Sequence, residues 1–236
     1  MAEVRSTAHS REMLERSPLF ALVDERNRRE LVAHAVPRSF GAGEPICRVG
    51  DPGVSMMAVI AGTVRISLPT ARGKEIILAD LPAGELFGEI AMLDGKPRSA
   101  SATALTRCEL LVLERRHVIP FLEKNPAVCL KLMEMLCARI RHSDERMADI
   151  AFFDLPTRLA KVMLNYPAKT RDDTRLSLSQ RELAEMAGGT RENVNRCLRD
   201  WQRRGIVESK GGWTIIRKAD ELRRLASGNS SETAMF

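Results

Sequence analysis

The sequence of 236 residues predicts an α+β fold in which a β-rich region, one long helix and a shorter helical region with a hairpin follow one another. Residues 38–116 alternate short apolar runs with glycine and proline, a pattern typical of a β-sandwich or β-barrel. Neither glycine nor proline lies between Pro126 and Pro156, which favours an uninterrupted helix. Beyond Pro156, capping signals and Gly188-Gly189 separate two shorter helical segments, and a hairpin pattern follows them.

The N-terminal part of the chain is predicted to be helical over residues 10–36. Apolar residues recur there near helix spacing, and Pro18 and Pro37 interrupt the pattern. The recurring residues are Met13, Leu14, Leu19, Phe20, Leu22, Leu31, Val32 and Val36. The first residues lack a basic segment followed by a long apolar stretch, so we expect no secretory signal.

The cysteines and the hydropathy indicate a reducing compartment without membrane association. No apolar run approaches the roughly 18 residues that a membrane span needs. The cysteine count is odd, the cysteines are scattered, and no CxxC motif occurs; they are Cys47, Cys108, Cys129, Cys137 and Cys197. We therefore expect a cytoplasmic protein without a disulfide framework.

Four runs in the β-rich region have the composition of strands, and glycines mark the turns around them. The runs cover residues 57–60, 64–68, 76–78 and 110–113, and the turns are predicted at Gly50, Gly53, Gly62, Gly73 and Gly84. Helix is predicted again over residues 117–153, with Asn125-Pro126 at the start of its long segment.

The long helix carries a heptad pattern whose positions are Met133, Leu136, Ile140, Ser143, Met147 and Ile150. Alternating steps of three and four residues predict a seam that pairs with a second helix. The alternative is a stripe packed against its own domain. A polar residue in a dimer seam costs stability unless something satisfies it. Ser143, with Asp144 beside it, therefore either sets the register of the pair or contacts a ligand.

The C-terminal region begins at Asp154, which can cap a helix over residues 157–166 with Pro156 in its first turn. Ser179 and Glu182 form a capping-box pattern for a helix through Ala187. Thr190 can cap a second helix that runs to about Arg204. Residues 206–209 and 213–216 form the hairpin pattern, and the tail from residue 227 is predicted to be disordered. Helix, glycine turn, helix and hairpin together are the winged helix-turn-helix pattern.

The second helix of this motif has an apolar face formed by Val194, Leu198 and Trp201. The residues predicted to face outward are Arg191, Glu192, Asn195, Arg196 and Arg199. Arginine can pair with guanine O6 and N7, and glutamate can accept from cytosine N4. Arg203 and Arg204 are expected to meet phosphates. The alternative is an amphipathic surface helix with ordinary ion pairs.

The net charge supports a polyanion-binding C-terminal region. The chain has 37 basic and 31 acidic side chains, a difference of +6. Residues 1–154 contain 21 of each sign, whereas residues 155–236 contain 16 basic and 10 acidic side chains, so the whole excess lies there. Such asymmetry suggests nucleic-acid binding, although a basic solvated surface would give the same sum.

A second motif lies between Gly88 and Ala100 and reads Gly-Glu-x-Ala-x-Leu-x-x-x-Pro-Arg-Ser-Ala. Gly88 and Glu89 can open a short helix whose backbone N–H groups suit an anion. Arg98 supplies a fixed charge for phosphate and Ser99 a hydroxyl donor. Glu89 can accept a hydrogen bond from a ribose hydroxyl.

Both motifs resemble parts of a known family. The segment from Leu178 to Arg196 looks like the helix-turn-helix of the CRP/FNR transcription regulators, and the Gly88–Ala100 string resembles the phosphate-binding cassette of cyclic-nucleotide-binding domains. The resemblance implies an N-terminal, jelly-roll-like β-roll that binds a cyclic nucleotide, a long dimerisation helix and a winged helix-turn-helix domain. It also implies a homodimer that binds and bends palindromic DNA with TGTGA-like half-sites.

The resemblance assigns the cyclic phosphate to Arg98 and Ser99, the ribose 2′-hydroxyl to Glu89, and the base to Ser143 and Asp144. A hydroxyl residue usually stands where this chain has Asp144. The resemblance to the cyclic-AMP-responsive branch favours cAMP. Because aspartate can accept from guanine as well as from adenine, cGMP is the second candidate. The implied ligand residues are Gly88, Glu89, Ile90, Ala91, Arg98, Ser99, Ser143 and Asp144.

The family's recognition triad maps onto Arg191, Glu192 and Arg196. The implied DNA-binding residues are Ser179, Thr190, Arg191, Glu192, Asn195, Arg196 and Arg199. Residues 168–174 match the place where related activators touch RNA polymerase, which is therefore a further candidate partner. The expected domains are residues 1–124, the dimerisation helix 125–153, the DNA-binding domain 154–226 and the tail 227–236.

Other function classes find less support. Iron–sulfur sensing in this family uses clustered N-terminal cysteines, which residues 1–46 lack. Haem needs axial ligands. The histidines are interpreted as isolated, which argues against a haem site; they are His9, His34, His117 and His142. Walker, HExxH and GxSxG motifs are missing, so neither an enzyme nor a metal or other cofactor is expected. A kinase regulatory subunit would share the cassette without needing a winged helix. The main alternative is a regulator of the same fold with a gas or redox effector, or with none.

Overall fold

A computed structural model of the chain describes residues 31, 33–70, 75–166, 175–176, 178–210 and 213–228. The chain divides into two compact units, Met1–Arg139 and Ile140–Phe236. Several predictions lie outside the described residues: the helical pattern over residues 10–30, the turn at Gly73, the segment 168–174 and the tail from residue 229.

The first unit contains two four-stranded antiparallel sheets, with strand orders β1-β8-β3-β6 and β2-β7-β4-β5. The strands of the first sheet are β1 (Val36–Phe40), β3 (Ser55–Ala61), β6 (Leu86–Phe87) and β8 (Cys108–Glu114). Those of the second are β2 (Pro45–Cys47), β4 (Thr63–Pro69), β5 (Glu75–Pro82) and β7 (Ser101–Ala104). The four predicted strand runs lie within β3, β4, β5 and β8, which confirms them.

Strand β3 is buried on both faces, which explains why its sequence is continuously apolar. On one face, Met57 and Val59 pack with residues of both sheets, including Val64 and Leu110. On the other face, Met56, Ala58 and Ile60 pack with helical residues. These helical residues come from three helices, α1 (Glu89–Asp94), α2 (Arg115–Lys124) and α3 (Pro126–Phe152), and include Met92, Val118, Phe121, Leu122 and Leu132. A sheet covered by helices on one side and by a second sheet on the other therefore forms the core.

The predicted border between the first helix and the β-rich region was wrong by a few residues. Val36, assigned from its spacing to a helix, begins β1, and Pro37 lies inside that strand. A proline disfavours helical geometry in the residue before it, and β1 is the edge strand of its sheet, where the missing N–H is tolerated. At the other border, α2 begins at Arg115, two residues before the predicted start at residue 117.

The turn between β3 and β4 requires glycine at position 62. Gly62 has φ +87°, and a Cβ atom there would lie 2.4 Å from the carbonyl oxygen of Arg107. Neither the left-handed backbone nor the close approach suits another residue. The predicted turn at this position is thus confirmed.

The long helix α3 extends from Pro126 to Phe152 and contains the border between the two units. Asp154 then caps α4 (Leu155–Asn165) by accepting a hydrogen bond from the backbone N–H of Thr157. The remaining elements are β9 (Arg175–Leu176), α5 (Gln180–Ala187), α6 (Arg191–Arg203), β10 (Val207–Lys210), β11 (Trp213–Ile216) and α7 (Ala219–Ala226). Strands β10 and β11 pair in the predicted hairpin, and β9 joins β11.

The core of the second unit lies between α4, α5 and α6. Leu159, Leu183, Val194 and Leu198 are almost completely buried there, and Leu222 of α7 joins them. Helix α7 was not predicted. Its signals are present in the sequence, because acidic Asp220 and Glu221 lie in the first turn and basic Arg223 and Arg224 in the last.

Candidate functional sites

Gly88 joins β6 to α1 in a conformation that only glycine adopts easily. Its φ is +78°, and a Cβ atom there would lie 2.3 Å from Nη1 of Arg98. Glu89, Ile90 and Ala91 follow in α1, so the predicted short helix is confirmed. Glu89 and Ala91 are buried, whereas Ile90 is exposed.

The Arg98 guanidinium is buried and held by β3. Nη1 donates to the carbonyl oxygens of Ser55 at 2.7 Å and of Gly88 at 3.0 Å, and Nη2 donates to Ser55 Oγ at 2.9 Å. Nε is buried and has no hydrogen-bond partner among the described residues. Ser99 follows with an exposed side chain. Arg98 thus presents a fixed charge and one free buried donor.

Glu89 is 1% exposed, although it is a carboxylate. Its Oε1 accepts a hydrogen bond from Arg139 Nη1 at 2.5 Å. Arg139 lies on the long helix, and its Nη2 also donates to the carbonyl oxygen of Leu86. The other carboxylate oxygen, Oε2, is buried without a hydrogen-bond partner among the described residues.

Arg115 holds the other end of α1. Its Nη1 donates to the carbonyl oxygens of Met92 and, at 2.8 Å, of Leu93. A cation at this end complements the partial negative charge of a helix C-terminus. Arg98, Arg115 and Arg139 therefore fix the segment 86–93 from three different parts of the chain.

The sequence interpretation missed three residues that contact the segment 86–98, namely Arg139, Arg115 and Ser55. Arg139 lies four residues before Ser143, one turn along the same helix, and this spacing is the one available signal. Nothing in the sequence around Ser55 marks it as a partner of Arg98.

The heptad residues of α3 form a largely exposed apolar stripe. Met133, Ile140, Met147 and Ile150 are between 51% and 68% exposed, and Leu136 is half-buried. The described part of the chain therefore does not bury this stripe. Ser143 and Asp144 lie in the second unit, on exposed positions of the same helix.

The two predicted caps of the helix-turn-helix are present. Ser179 Oγ accepts from the backbone N–H of Glu182, while the Glu182 carboxylate accepts from the backbone N–H of Ser179. Gly188 ends α5 with φ +64°. Thr190 Oγ1 then accepts from the backbone N–H of Asn193 and caps α6. Each hydroxyl uses a lone pair as cap, so its O–H remains available to donate.

Helix α6 has the predicted two faces. Val194, Leu198 and Trp201 are at most 2% exposed. Arg191, Glu192, Arg196 and Arg199 are exposed, and Asn195 is half-buried. Arg196 Nη2 donates to Asn193 Oδ1 at 3.2 Å. Arg203 and Arg204, which were expected to meet phosphates, form ion pairs with Asp200, and Arg204 also pairs with Glu221.

Two thiols are shielded from ionisation. Burial raises the pKa of the Cys197 thiol on α6. Burial also raises the pKa of Cys47, against the opposing effect of the Arg98 charge. A protonated thiol is a poor nucleophile and a poor metal ligand.

The interpretation of the histidines as isolated was wrong for one pair. The His34 and His117 rings are stacked, with centroids 4.1 Å apart and planes 4° from parallel. Loop and helix bring together residues that are far apart in sequence. Within the ranges that the structure describes, no cluster of three or more histidine, cysteine, aspartate or glutamate residues could hold a metal ion. Among the described helices, none is both long and apolar enough to cross a membrane.

Comparison with known proteins places both units in one family. Residues 37–125 match the model of the cyclic nucleotide-binding domain, and residues 157–225 match that of the Crp-like helix-turn-helix domain. The chain is 34% identical over 191 residues to the cyclic AMP receptor protein of Thermus thermophilus, covering 81% of this chain and 88% of the relative. It is 29% identical over 221 residues to a CRP-like cAMP-activated global transcriptional regulator of Mycobacterium tuberculosis, covering 91% of this chain and 99% of the relative.

A solved structure supports the fold. The c-di-GMP responsive global regulator CLP of Xanthomonas campestris superposes with a TM-score of 0.74 at 23% identity, covering 82% of this chain and 99% of that one. Fold and motifs together define a cyclic-nucleotide-binding, DNA-binding transcription regulator. The chain belongs to the CRP/FNR family.

Proposed function

We propose that this regulator responds to cAMP, and that nucleotide binding in the β-roll promotes binding of a homodimer to palindromic DNA. The observation that carries the proposal is the pair of buried polar atoms without partners among the described residues, Glu89 Oε2 and Arg98 Nε. A buried polar atom without a partner costs free energy, so such atoms call for an explanation. A cyclic nucleotide offers what each atom lacks.

The chemistry of the two atoms is complementary to a ribose cyclic phosphate. Glu89 Oε2 is an acceptor and suits a ribose 2′-hydroxyl, whereas Arg98 Nε is a donor and suits a phosphate oxygen. Ser99 adds a hydroxyl donor on the exposed side. Gly88, Ile90 and Ala91 form the backbone of the cassette around these side chains. The relatives named for cAMP support this nucleotide as the effector.

Base selectivity is assigned to Ser143 and Asp144. Both are exposed on the long helix, where a base held by a partner subunit can reach them. Asp144 accepts from the N6 amino group of adenine, but also from N1–H and N2–H of guanine. Therefore cGMP is the second candidate nucleotide.

Homodimerisation is supported by the apolar stripe of α3. A stripe with heptad spacing that the described part of the chain leaves exposed is suited to a matching helix of a second copy. Ligand contacts from Ser143 would then lie within the seam. Nucleotide can promote DNA binding only by binding the DNA-competent state more tightly.

DNA recognition is assigned to the exposed face of α6. Arg191, Glu192 and Arg196 are proposed to read base edges of a TGTGA-like half-site. Ser179, Thr190, Asn195 and Arg199 are proposed to contribute further contacts, chiefly to phosphates. The residues 168–174, proposed to touch RNA polymerase, lie outside the described residues.

Calorimetry with cAMP and cGMP tests the effector. We expect binding of at least one nucleotide, which is lost in Arg98→Ala and weakened in Ser99→Ala, whose exposed side chain is not needed for the core. Arg38→Ala on the exposed face of β1 removes a charge elsewhere in the same unit and serves as the control. Folded protein that binds neither nucleotide would reject the proposal.

A mobility-shift titration on a TGTGA/TCACA palindrome tests the output. Without ligand, with cAMP and with cGMP, the apparent Kd for DNA should fall in the presence of the true effector. A scrambled duplex of the same length and charge controls for non-specific attraction.

A second candidate is a regulator of this fold with another effector. It is favoured by the likeness to CLP, which is described as c-di-GMP responsive. Adding c-di-GMP to both experiments distinguishes the candidates, because the proposed cAMP regulator gains no DNA affinity from it.

A further inference from the structure

The junction between the long helix and the DNA-binding domain is held by two cations of α4, Arg158 and Lys161. The chain leaves α3 after Phe152 and enters α4 at Leu155. Phe153 and Asp154 alone link the two helices, and a link of two residues could rotate freely. Here it is restrained, because both cations contact the end of α3 within the second compact unit.

Arg158 binds the ends of two helices with one guanidinium. At the end of α3, Nη1 donates to the carbonyl oxygen of Phe153 at 2.9 Å and to the carbonyl oxygen of Ile150 at 3.4 Å. Nε donates to the carbonyl oxygen of Ala187 at 2.9 Å, and Nη2 lies 3.3 Å from that of Gly188, at the end of α5. The last carbonyls of a helix lack partners within it and carry partial negative charge. Arg158 satisfies both ends at once.

Lys161 holds the same junction from one turn further along α4. Its ammonium forms an ion pair with Asp149 and lies 4.0 Å from the centroid of the Phe153 ring. These contacts involve α3 and the linker. Lys161 therefore grips the end of the long helix, whereas Arg158 also reaches α5.

The end of α5 is in turn fixed to the start of the recognition helix. Only Gly188 and Gly189 separate Ala187 from the cap residue Thr190. Gly188 has φ +64°, and a Cβ atom at Gly189 would lie 2.6 Å from Leu155 Cδ1. Because the turn is short and closely packed, the end of α5 and the start of α6 can move little relative to each other.

We propose that Arg158 is the positioning residue through which the last turn of the dimerisation helix sets the orientation of the recognition helix. When the last turn of α3 is formed, its carbonyls hold the guanidinium in a place where it can also bind Ala187 and Gly188. When that turn shifts, Arg158 loses two of its four acceptors and the end of α5 is released. The inference rests on the proposed nucleotide response, whose signal this contact would carry.

The test compares Arg158→Gln, Arg158→Lys and a control, Arg223→Gln, in the full chain. Arg223 lies on α7 and bonds Asp220 of the same helix, so its replacement removes an equal charge from the same unit. The apparent Kd for the palindrome is measured with and without cAMP, and nucleotide affinity is measured separately by calorimetry. Each variant thus yields a coupling factor, the ratio of the two DNA affinities.

We expect Arg158→Gln to lose most of a coupling factor that is typically about 5–150-fold, with nucleotide affinity unchanged. Arg158→Lys keeps the charge but cannot bind four carbonyls in a plane, so it should restore part of the coupling. The control should match the wild type. An equal loss of DNA affinity with and without cAMP would overturn the proposal, because the residue would then only stabilise the fold.

Hydrogen exchange measured without nucleotide supplies an arm that does not depend on the effector. Arg158→Gln should raise exchange in peptides covering 144–153 and 180–190 together, whereas Lys161→Gln should raise it only in 144–153. If the wild type shows no nucleotide response, the proposed function fails. Hydrogen exchange then decides by itself whether Arg158 links the end of α3 to the end of α5. Faster exchange in one segment only, after Arg158→Gln, would reject the link between α3 and α5.

Discussion

The Glu89 carboxylate and the Arg139 guanidinium form an ion pair that joins the short helix α1 to the long helix α3. Oε1 and Nη1 are 2.5 Å apart, and the two side chains are 2% and 32% exposed. Arg139 lies one turn before Ser143, the residue assigned to the base. The proposed ribose ligand Glu89 is thus bonded to the helix that carries the proposed base contacts.

Replacing Arg139 by glutamine should destabilise the first unit. Glu89 would remain buried without its counter-charge, and breaking a buried pair in this way costs about 3–5 kcal/mol, with the lower end expected because Arg139 is partly exposed. Arg141→Gln, two residues along at an exposed position, is the control. Urea unfolding followed by far-UV circular dichroism measures the effect, because Trp201 and Trp213 both lie in the second unit and report only on it.

The double variant Glu89→Gln/Arg139→Gln separates pairing from packing. If the ion pair is the cause, the double variant should be less destabilised than the sum of the two single variants, with a coupling energy of roughly 0.5–3 kcal/mol. Additive losses would show that the two side chains act independently.

Gly88→Ala should weaken nucleotide binding, because the new Cβ would displace the guanidinium of Arg98, 2.3 Å away. Gly95→Ala is a closely matched control. Gly95 ends the same short helix with φ +73°, but the nearest atom to its Cβ, Arg115 Cζ, is 4.0 Å away. Both variants carry backbone strain of about 1–2 kcal/mol, so stability should fall in both and nucleotide affinity chiefly in Gly88→Ala. Equal loss of affinity would refute the displacement of Arg98.

Elements with strong local signals were predictable from the sequence. The capping box at Ser179 and the cap at Thr190 depend on atoms within three residues of each other, so spacing alone reveals them. The buried strand β3 was recognisable because both of its faces are apolar. Residues 217–226 carried no assignment, since one fully buried leucine, Leu222, makes a short helix that spacing hardly distinguishes from a loop.

The contacts that organise the cassette were not predictable, since they join distant segments. Arg98 and Ser55 are 43 residues apart, and Glu89 and Arg139 are 50 residues apart. A motif identifies Glu89 and Arg98, but the chain has many other arginines, and only the tertiary fold selects Arg115 and Arg139. The start of β1 at Val36 was missed for a related reason, because sheet pairing outweighed an apolar spacing that also suits a helix.

Ile140→Asp should dissociate the proposed dimer. Ile140 is 60% exposed in the single chain and lies in the middle of the heptad stripe, so a charge there would be buried against a second copy at high cost. Ala138→Asp adds the same charge to an exposed position of α3 outside the stripe. Sedimentation velocity should show a monomer for Ile140→Asp and an unchanged species for Ala138→Asp. A monomeric wild type, or an Ile140→Asp variant that remains dimeric, would contradict the seam.

Cys47 and Cys197 should react with iodoacetamide more slowly in the folded chain than in the unfolded chain. Burial raises both pKa values, so less thiolate is present at a given pH. The ratio of unfolded to folded rate should be largest below the unfolded thiol pKa of about 8.5 and should begin to fall above it. Peptide-resolved mass spectrometry between pH 7 and 9 measures each site, with urea-unfolded protein as the control. Folded rates equal to the unfolded rates would show that neither thiol is shielded.

Arg196 and Arg199 should affect DNA binding in different ways, although both are exposed arginines on α6. Arg196→Ala should cost about 1–3 kcal/mol and relax the preference at one base pair, because a guanidinium that reads guanine is lost. Arg199→Gln should weaken binding to all sequences alike and lower the salt slope by about one, as expected for a phosphate contact. Affinities for a set of single-base variants of the palindrome, each at several salt concentrations, separate these outcomes. Trp201 lies buried in the same helix, so unchanged tryptophan fluorescence would verify that α6 stays folded. If the two variants gave the same specificity profile, Arg196 would not be reading a base.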